Sequence, residues 1–272
     1  MFKYESLKYD SLADLVAIAE KIDMPLSSVV LQEQAETAET TTDAMYQKMA
    51  YALEIMRDSV KDGLDPDKRS ASGLTGGDAY KMMQAVKEGK NICGKVFGEA
   101  LTKALAVSET NASMGRIVAA PTAGSCGILP AAILTIAEDR NIPDHDVIMA
   151  LFTASAVGMV IANNASIAGA EGGCQAECGA ASAMAAAAVV EMCGGTPQMC
   201  VNACAIALKN ILGLVCDTVA GLVVETLGRI PKENEHPSIT IENLTFTVEK
   251  VEEKRIAKIL IVKDISKEMD TE

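Results

Sequence analysis

The chain has 272 residues, of which 49% are hydrophobic and only 3% aromatic, so its core must consist mainly of small aliphatic side chains and methionine. Its net charge of −13 argues against nucleic acid or an anionic membrane as a partner, because both require basic patches. The N-terminus has no basic segment followed by an apolar run, and eight cysteines without such a signal indicate thiols or metal ligands in a reducing compartment, which favours a cytoplasmic protein.

The first part of the chain is predicted to be helical. Ser11 and Asp14 have the spacing of a helix cap before the apolar repeat of LADLVAIAEKI. A second amphipathic run begins at Thr42 and continues through Met56 with the period of a helix. Both runs predict helices that pack one apolar face into the core.

Four glycine-rich segments separate the predicted helices: SASGLTGGDA (70–79), PTAGSCG (121–127), NNASIAGAEGGC (163–174) and CGGTP (193–197). Glycine lets backbone N–H groups approach a ligand closely, so these segments predict a polar pocket for a small anion such as a carboxylate. Simple interhelical turns are the alternative. The candidate substrate-binding residues are Ser72, Thr75, Thr122, Ser125 and Asn164.

The hydroxyls of Thr122 and Ser125 have a second possible role, which is to cap the helix that follows them. Loops that end at Gly127 and Gly173 precede predicted helix starts. N–H groups at such starts can point toward a substrate carboxylate.

An uncharged stretch of 24 residues, 147–170, is long enough to cross a membrane. Asn163 and Asn164 interrupt it, and alanine and glycine stand where leucine and isoleucine are usual in such spans. We therefore predict a buried helix that ends in a functional loop, with a membrane span as the alternative.

The segment GAEGGCQAECGAASAMAAAA (169–188) keeps two glutamates, Glu171 and Glu177, among residues that are almost all alanine and glycine. Residues 141–208 contain no lysine or arginine, so neither carboxylate has a counter-charge nearby in the sequence. A buried carboxylate in such surroundings can carry or relay a proton near neutrality, which makes both glutamates catalytic candidates. For Glu177, an exposed position on a helix is the alternative.

The cysteines follow no zinc or ferredoxin spacing. Cys174 and Cys178 share a face if their segment is helical, and Cys174 is the strongest candidate ligand because it follows two glycines. Free cysteine is also a common core residue. We assign that core role to Cys93, Cys193, Cys200 and Cys204.

The chain changes character after Cys216. Residues 217–272 contain no cysteine but hold 12 acidic and 8 basic residues. Apolar residues alternate on both sides of a short turn in residues 239–248, which predicts a hairpin, and ILIV at 259–262 predicts a third strand. We therefore expect a helical domain at 1–216 and an α+β tail at 217–272.

The chain closely resembles the α chain of iron–sulfur-dependent L-serine dehydratase in three motifs. They are ASMGRIVAAPTAGSCGILPAAIL (112–134), NNASIAGAEGGCQAE (163–177) and NILGLVCDTVAG (210–221). The resemblance covers about residues 1–221. It implies a [4Fe–4S] enzyme that converts L-serine to pyruvate and ammonia and that pairs with a serine dehydratase β chain. The expected fold is mainly α, a helical bundle with glycine-rich active-site loops followed by a small α+β tail.

The resemblance also implies a ligand set. Three cysteines would hold the cluster and leave one iron open as a Lewis acid toward the substrate hydroxyl. Cys174, in GGCQAE, matches the first ligand and Cys216, in LVCD, the second. The family places its third ligand in a V-P-C segment where this chain has VVETLGR, with Leu227 near the ligand position, so Cys126 or Cys178 is the candidate substitute.

From Asp217 onward the chain is similar to the end of the CorC/HlyC transporter-associated domain, a small α+β module whose usual opening strand is missing here. Three hypotheses follow. The chain is the α subunit of a serine lyase, or a truncated or fused chain that acts only as a helical binding or scaffold protein, or an accessory module beside a transporter.

Overall fold

A computed structural model describes residues 7–212, 219–252 and 255–264, with the backbone alone described for Ala170, Glu171, Gly221, Glu225 and Arg255. The helices are α1 (Leu12–Ile22), α2 (Leu26–Thr37), α3 (Thr42–Gly63), α4 (Asp78–Lys87), α5 (Lys95–Ala112), α6 (Ile128–Arg140), α7 (Asp144–Asn164), α8 (Gly169–Cys174), α9 (Ala180–Met192), α10 (Pro197–Asn210) and α11 (Val219–Leu227). A 3₁₀ turn (Ala123–Ser125) precedes α6, and a π-helical turn (Gln175–Gly179) precedes α9. The strands are β1 (Ser238–Ile241), β2 (Leu244–Glu252) and β3 (Arg255–Lys263). The predicted mainly α class with a small α+β tail is confirmed.

The helix starts follow local signals in the sequence. The backbone N–H of Asp14 donates to Oγ of Ser11 over 3.1 Å, and the carboxylate of Asp14 accepts from the backbone N–H of Ser11 over 3.0 Å. This reciprocal pair is the predicted capping box of α1. Helix α3 begins at Thr42, as predicted, and the side chain of Thr41 caps it.

Helix α9 lies at the centre of the helical core and packs against α6, α7 and α10. Its core-facing residues are almost all alanine: Ala180, Ala181, Ala183, Ala185, Ala187 and Ala188. Because each carries a single methyl group, the neighbouring helices approach closely. Gly158 of α7 faces Met184 of α9, where an added Cβ would lie 3.0 Å from the methionine sulfur. The small-residue core predicted from the composition is therefore present.

The uncharged stretch forms α7, which is long and apolar enough to cross a membrane by length and composition. Ten of its residues are buried, and the helix packs against α2, α3 and α9. The prediction of a buried helix is confirmed. The helix ends at Asn164, and the next residues lead into the short α8.

A buried polar link joins α9 to two other helices. Glu191, near the end of α9, accepts the backbone N–H of Ser27 in the first turn of α2 over 3.2 Å. Its other carboxylate oxygen accepts the hydroxyl of Thr153 from α7. A carboxylate from α9 thereby satisfies one of the N–H groups that α2 leaves unpaired at its start.

The tail forms an antiparallel sheet in the order β1-β2-β3, as the alternating pattern predicted. Phe246 of β2 pairs with Ile239 of β1 and with Ile261 of β3. Helix α11 packs on this sheet, and its Val223 joins Phe246 and Val248 in a second apolar cluster. This cluster is separate from the core of the helical part.

Two of the four cysteines that we assigned to the core do not lie there. Cys200 and Cys204 on α10 are buried, which confirms the assignment for these two. Cys93 and Cys193 are exposed, so the assignment is wrong for them. The reason is local, because Cys93 lies in the loop before α5 and Cys193 is the C-cap residue of α9.

Candidate active site

Two glycine-rich segments that are distant in the sequence meet at Glu177. The hydroxyl of Thr122 donates a hydrogen bond to Oε1 of Glu177 over 2.8 Å, and the same hydroxyl lies 3.2 Å from Oγ of Ser125. Glu177 and Thr122 are half-buried and Ser125 is buried. Three of the predicted site residues are therefore in one cluster, while their roles in catalysis and substrate binding stay predictions.

Glycines hold the carboxylate of Glu177 from two sides. A Cβ added at Gly124 would lie 3.1 Å from both carboxylate oxygens, and one added at Gly169 would lie 2.4 Å from Oε2. A contact of 2.4 Å is too short for any real Cβ. At Gly169 the absence of a side chain is therefore what lets the backbone lie against Glu177.

The backbone before Glu177 departs twice from regular α-helical geometry. Gly173 has φ 66° and ψ −161°, a conformation that is essentially restricted to glycine. The residues from Gln175 to Gly179 then form a π-helical turn. Turns of this kind occur most often at functional sites, so the backbone also marks this segment as a candidate site.

The last turns of α5 anchor two of the glycine-rich loops. The side-chain amide of Asn111 donates to the carbonyl of Ala123, in the loop of Thr122, over 3.0 Å. The carbonyl of Ala112 accepts the backbone N–H of Ala71, in the 70–79 loop, over 2.8 Å. The C-terminal end of α5 is therefore hydrogen-bonded both to the loop of Thr122 and to the 70–79 loop.

Glu109 on α5 is a structural residue that sequence reasoning missed. Its buried carboxylate accepts the backbone N–H groups of Gly77, Asp78 and Ala79 over 2.9, 2.7 and 3.0 Å. These groups belong to the start of α4, so the carboxylate of Glu109 satisfies N–H groups that the helix leaves unpaired there. The available signal was its position three residues after the buried Ala106, which places it on the core-facing side of α5.

The other predicted substrate-binding residues make local hydrogen bonds. Oγ of Ser72 lies 3.1 Å from Oγ of Ser70, and the backbone N–H of Thr75 donates to the same Ser70 hydroxyl over 3.2 Å. The side-chain amide of Asn164 donates to the carbonyl of Asp10 over 3.1 Å and so ties the end of α7 to the N-terminal segment. Their roles toward a substrate stay predictions.

Two alternatives from the sequence are wrong. Helix α6 starts after Gly127, and no side chain among the described residues caps it, so Thr122 and Ser125 do not serve as its caps. Glu177 is half-buried and hydrogen-bonded rather than an exposed helix residue. The fourth glycine-rich segment, 193–197, follows α9, which is about 20 Å long, and so lies at the opposite end of that helix from Glu177.

The implied cluster ligands are only partly described. Cys174 is half-buried and follows the kink at Gly173, and Cys178 lies in the π-helical turn. Cys216 and the side chain of Glu171 lie outside the described residues, so the convergence of the two implied ligands stays a prediction.

Cys126, a candidate for the remaining ligand position, is a core residue of the helical part, and its role as a ligand stays a prediction. The residue is 2% exposed, and burial raises the pKa of its thiol, so the thiol of Cys126 is packed in the core of the helical part. Among the described residues, no three cysteine, histidine, aspartate or glutamate side chains are grouped as a metal site. The described part of the chain therefore offers Cys174 and does not by itself complete a ligand set.

The fold is mainly helical, and two glycine-rich segments meet at the half-buried carboxylate of Glu177. Residues 21–226 match the family model of the serine dehydratase alpha chain, and residues 206–264 match that of the CorC/HlyC transporter associated domain. The chain belongs to the serine dehydratase alpha chain family, and its last part carries the second match. Both resemblances predicted from the sequence are confirmed.

Individual relatives support the assignment. The chain is 46% identical over 215 residues to a probable L-serine dehydratase alpha chain of Bacillus subtilis, covering 79% of this chain and 71% of that protein. It is 40% identical over 210 residues to the L-serine dehydratase alpha chain of Peptoniphilus asaccharolyticus, covering 77% and 72%. The L-serine dehydratase of Mycobacterium tuberculosis is 36% identical over 235 residues, but this chain covers only 48% of its length.

Proposed function

We propose that this chain is an L-serine dehydratase alpha subunit that takes part in the elimination of water from L-serine, giving pyruvate and ammonia. Family membership supports the lyase activity. The observation that carries the proposal is the hydrogen bond from Thr122 to Glu177, since it joins PTAGSCG to GAEGGCQAE at one carboxylate. These are two of the segments that the family resemblance singles out.

The residues of this chain have distinct proposed tasks. Thr122 fixes Oε1 of Glu177, so Oε2, which faces Gly169, is the oxygen at which a proton is held or moved. The start of α6 has no side-chain cap among the described residues, and its N–H groups are suited to the carboxylate of the substrate. Glu171 stays a second candidate for proton transfer.

The proposed cofactor is a [4Fe–4S] cluster, which when bound supplies a Lewis acid for the departing hydroxyl group. Cys174 and Cys216 are its proposed ligands in this chain. Cys174 fits this role because it is a half-buried thiol that follows the kinked backbone at Gly173, within four residues of Glu177.

The proposed partner is a serine dehydratase β chain. Two relatives are named as alpha chains, and the Mycobacterium tuberculosis relative is about twice as long as the region that this chain matches. We infer that a second polypeptide supplies what the longer relative carries in one chain. The activity of this chain is therefore to be measured together with that partner.

Iron and sulfide analysis after anaerobic purification tests the cofactor. We expect close to four iron atoms per chain in the unaltered protein and in the Cys93→Ser control, whose thiol is exposed and outside the site. Cys174→Ser and Cys216→Ser are expected to lose the iron. Iron contents that are equal in all four proteins would contradict the proposed ligands.

One observation favours a second function, that of a helical scaffold without catalysis. Where the family has its third cysteine this chain has Leu227, which packs against the apolar cluster of the tail. If the purified protein holds no iron, keeps its helical circular dichroism and forms no pyruvate from L-serine with the β chain present, the scaffold function is the one to retain.

A further inference from the structure

A cavity of about 520 Å³ lies between α3, α4, α5 and α6. None of the residues that line it belongs to the cluster around Glu177. Its apolar lining consists of Val60, Leu64, Met83, Val86 and Leu134. A cavity of this size with mostly apolar walls has the dimensions of a small-molecule site.

Basic residues are concentrated around this cavity, although the chain as a whole is strongly acidic. Its charged lining residues are Arg57, Lys61, Lys87, Lys103, Glu99 and Glu138. The lining therefore has an excess of positive charge, and a cavity with this charge favours an anion over a cation.

Two of the four basic residues are already paired. The guanidinium of Arg57 donates two hydrogen bonds to the carboxylate of Asp144, one of them over 2.8 Å. The ammonium of Lys103, whose side chain is 11% exposed, lies 2.9 Å from the carboxylate of Glu138. Each of these pairs is neutral as a whole.

The carboxylate of Glu99 lies 4.0 Å from the ammonium of Lys95, which does not line the cavity. Lys61 and Lys87 therefore supply the remaining positive charge of the lining. They line the cavity from α3 and α4 respectively, and both are exposed. Within residues 7–212, 219–252 and 255–264, neither makes an ion pair. The cavity lining therefore combines mostly apolar walls with two lysines that have no ion pair among the described residues.

We propose that this cavity binds a small aliphatic carboxylate with a chain of about four to eight carbon atoms. The carboxylate lies between the ammonium groups of Lys61 and Lys87, and the hydrocarbon chain lies against Met83 and the other apolar residues. The lysines select the charged head group, while the apolar walls require a hydrocarbon body. This site is independent of the proposed lyase activity.

Isothermal titration calorimetry with hexanoate, hexanamide and acetate tests the proposal on the full chain. We expect saturable binding of hexanoate to one site, at least tenfold weaker binding of the neutral hexanamide, and an affinity that rises about fourfold with each methylene group from acetate upward. No saturable binding of hexanoate, or equal binding of hexanamide, would overturn the proposal.

NMR spectra of protein with ¹³C-labelled methionine methyl groups locate the bound hexanoate. Hexanoate is expected to shift the methyl resonance of Met83, which a Met83→Leu variant identifies. Binding that leaves this resonance unmoved would place the ligand elsewhere and refute the site, whatever the affinity.

A matched set of lysine variants tests the role of charge. The Lys61→Gln/Lys87→Gln double variant is expected to bind hexanoate at least tenfold more weakly, because it removes both free ammonium groups. Lys48→Gln, an exposed lysine of the same helix α3 outside the cavity, is the control and is expected to bind like the unaltered protein. An unchanged affinity in the double variant would exclude the proposed site.

Discussion

The hydroxyl of Thr122 lies 2.8 Å from the carboxylate of Glu177, which follows it by 55 residues. Thr122 stands before the 3₁₀ turn that leads to α6, and Glu177 lies in the π-helical turn that leads to α9. Since α6 and α9 pack against each other, their starts bring the two polar residues together. The site thus depends on the packing of the small-residue core.

The first prediction concerns the close approach at Gly169. Gly169→Ala is expected to destabilise the protein by about 1–3 kcal/mol, since the new Cβ would lie 2.4 Å from Oε2 of Glu177. In a Glu177→Ala background the same change is expected to be neutral or to stabilise by about 0.4–1 kcal/mol, because alanine restricts the unfolded chain and the collision is gone. Urea unfolding of the unaltered protein, the two single variants and the double variant measures the coupling free energy between residues 169 and 177. Additive effects would show that the two residues do not touch.

The second prediction concerns the orientation of Glu177. Thr122→Val keeps the shape of the side chain but removes the donor to Oε1, and with the partner chain present we expect kcat for pyruvate formation to fall about 10- to 100-fold. Thr122→Ser keeps the hydroxyl and is expected to retain most of the activity. Full activity in Thr122→Val, or losses of equal size in both variants, would contradict a specific role of this hydrogen bond.

Local features of this fold could be predicted from the sequence because their signals lie within a few residues. Ser11 and Asp14 of the capping box are three positions apart, and the hairpin strands show their alternation directly. The alanine-rich composition of α9 likewise predicted a closely packed helical core. In each case the pattern and the structure depend on the same short-range geometry.

The long-range polar contacts could not be predicted in this way. Glu109 binds the start of α4 from 30 to 32 residues away, and Glu191 binds Ser27 from 164 residues away. Nothing in the neighbourhood of either glutamate identifies its acceptor role, because the partner is a backbone N–H that every sequence contains. The pairing of Thr122 with Glu177 also required the fold, because 55 residues separate the two side chains.

The third prediction uses two buried threonines that differ only in their partners. Oγ1 of Thr135 on α6 has no hydrogen-bond partner among the described residues, whereas the hydroxyl of Thr153 on α7 donates to Glu191. Thr135→Val is expected to raise the free energy of unfolding by up to about 1 kcal/mol, and Thr153→Val to lower it by about 1–3 kcal/mol. Chemical denaturation measures both, and a loss of equal size in the two variants would contradict this difference.

The fourth prediction concerns the stability of the protein at alkaline pH. Cys200 and Cys204 are 1% and 2% exposed, and burial raises the pKa of each thiol to about 12, with the charge of Glu191 adding to the effect on Cys200. In the unfolded chain a thiol ionises near pH 8.5, at about its unperturbed pKa. Between that pH and about pH 12 the folded protein keeps protons that the unfolded chain has lost. The free energy of unfolding therefore falls as the pH rises, by at most about 1.4 kcal/mol per pH unit for each thiol.

Urea unfolding between pH 8 and 10.5, under reducing conditions, measures this slope. Cys200→Ala/Cys204→Ala is expected to be less stable than the unaltered protein at pH 8, because it leaves small cavities, but to lose stability more slowly as the pH rises. Cys93→Ala/Cys193→Ala, in which only exposed thiols are removed, is the control and should keep the original slope. If the free energy of unfolding fell equally fast with pH in the unaltered protein and in both double variants, the prediction would be wrong. That result would mean that the thiols of α10 ionise as readily in the folded protein as in the unfolded chain.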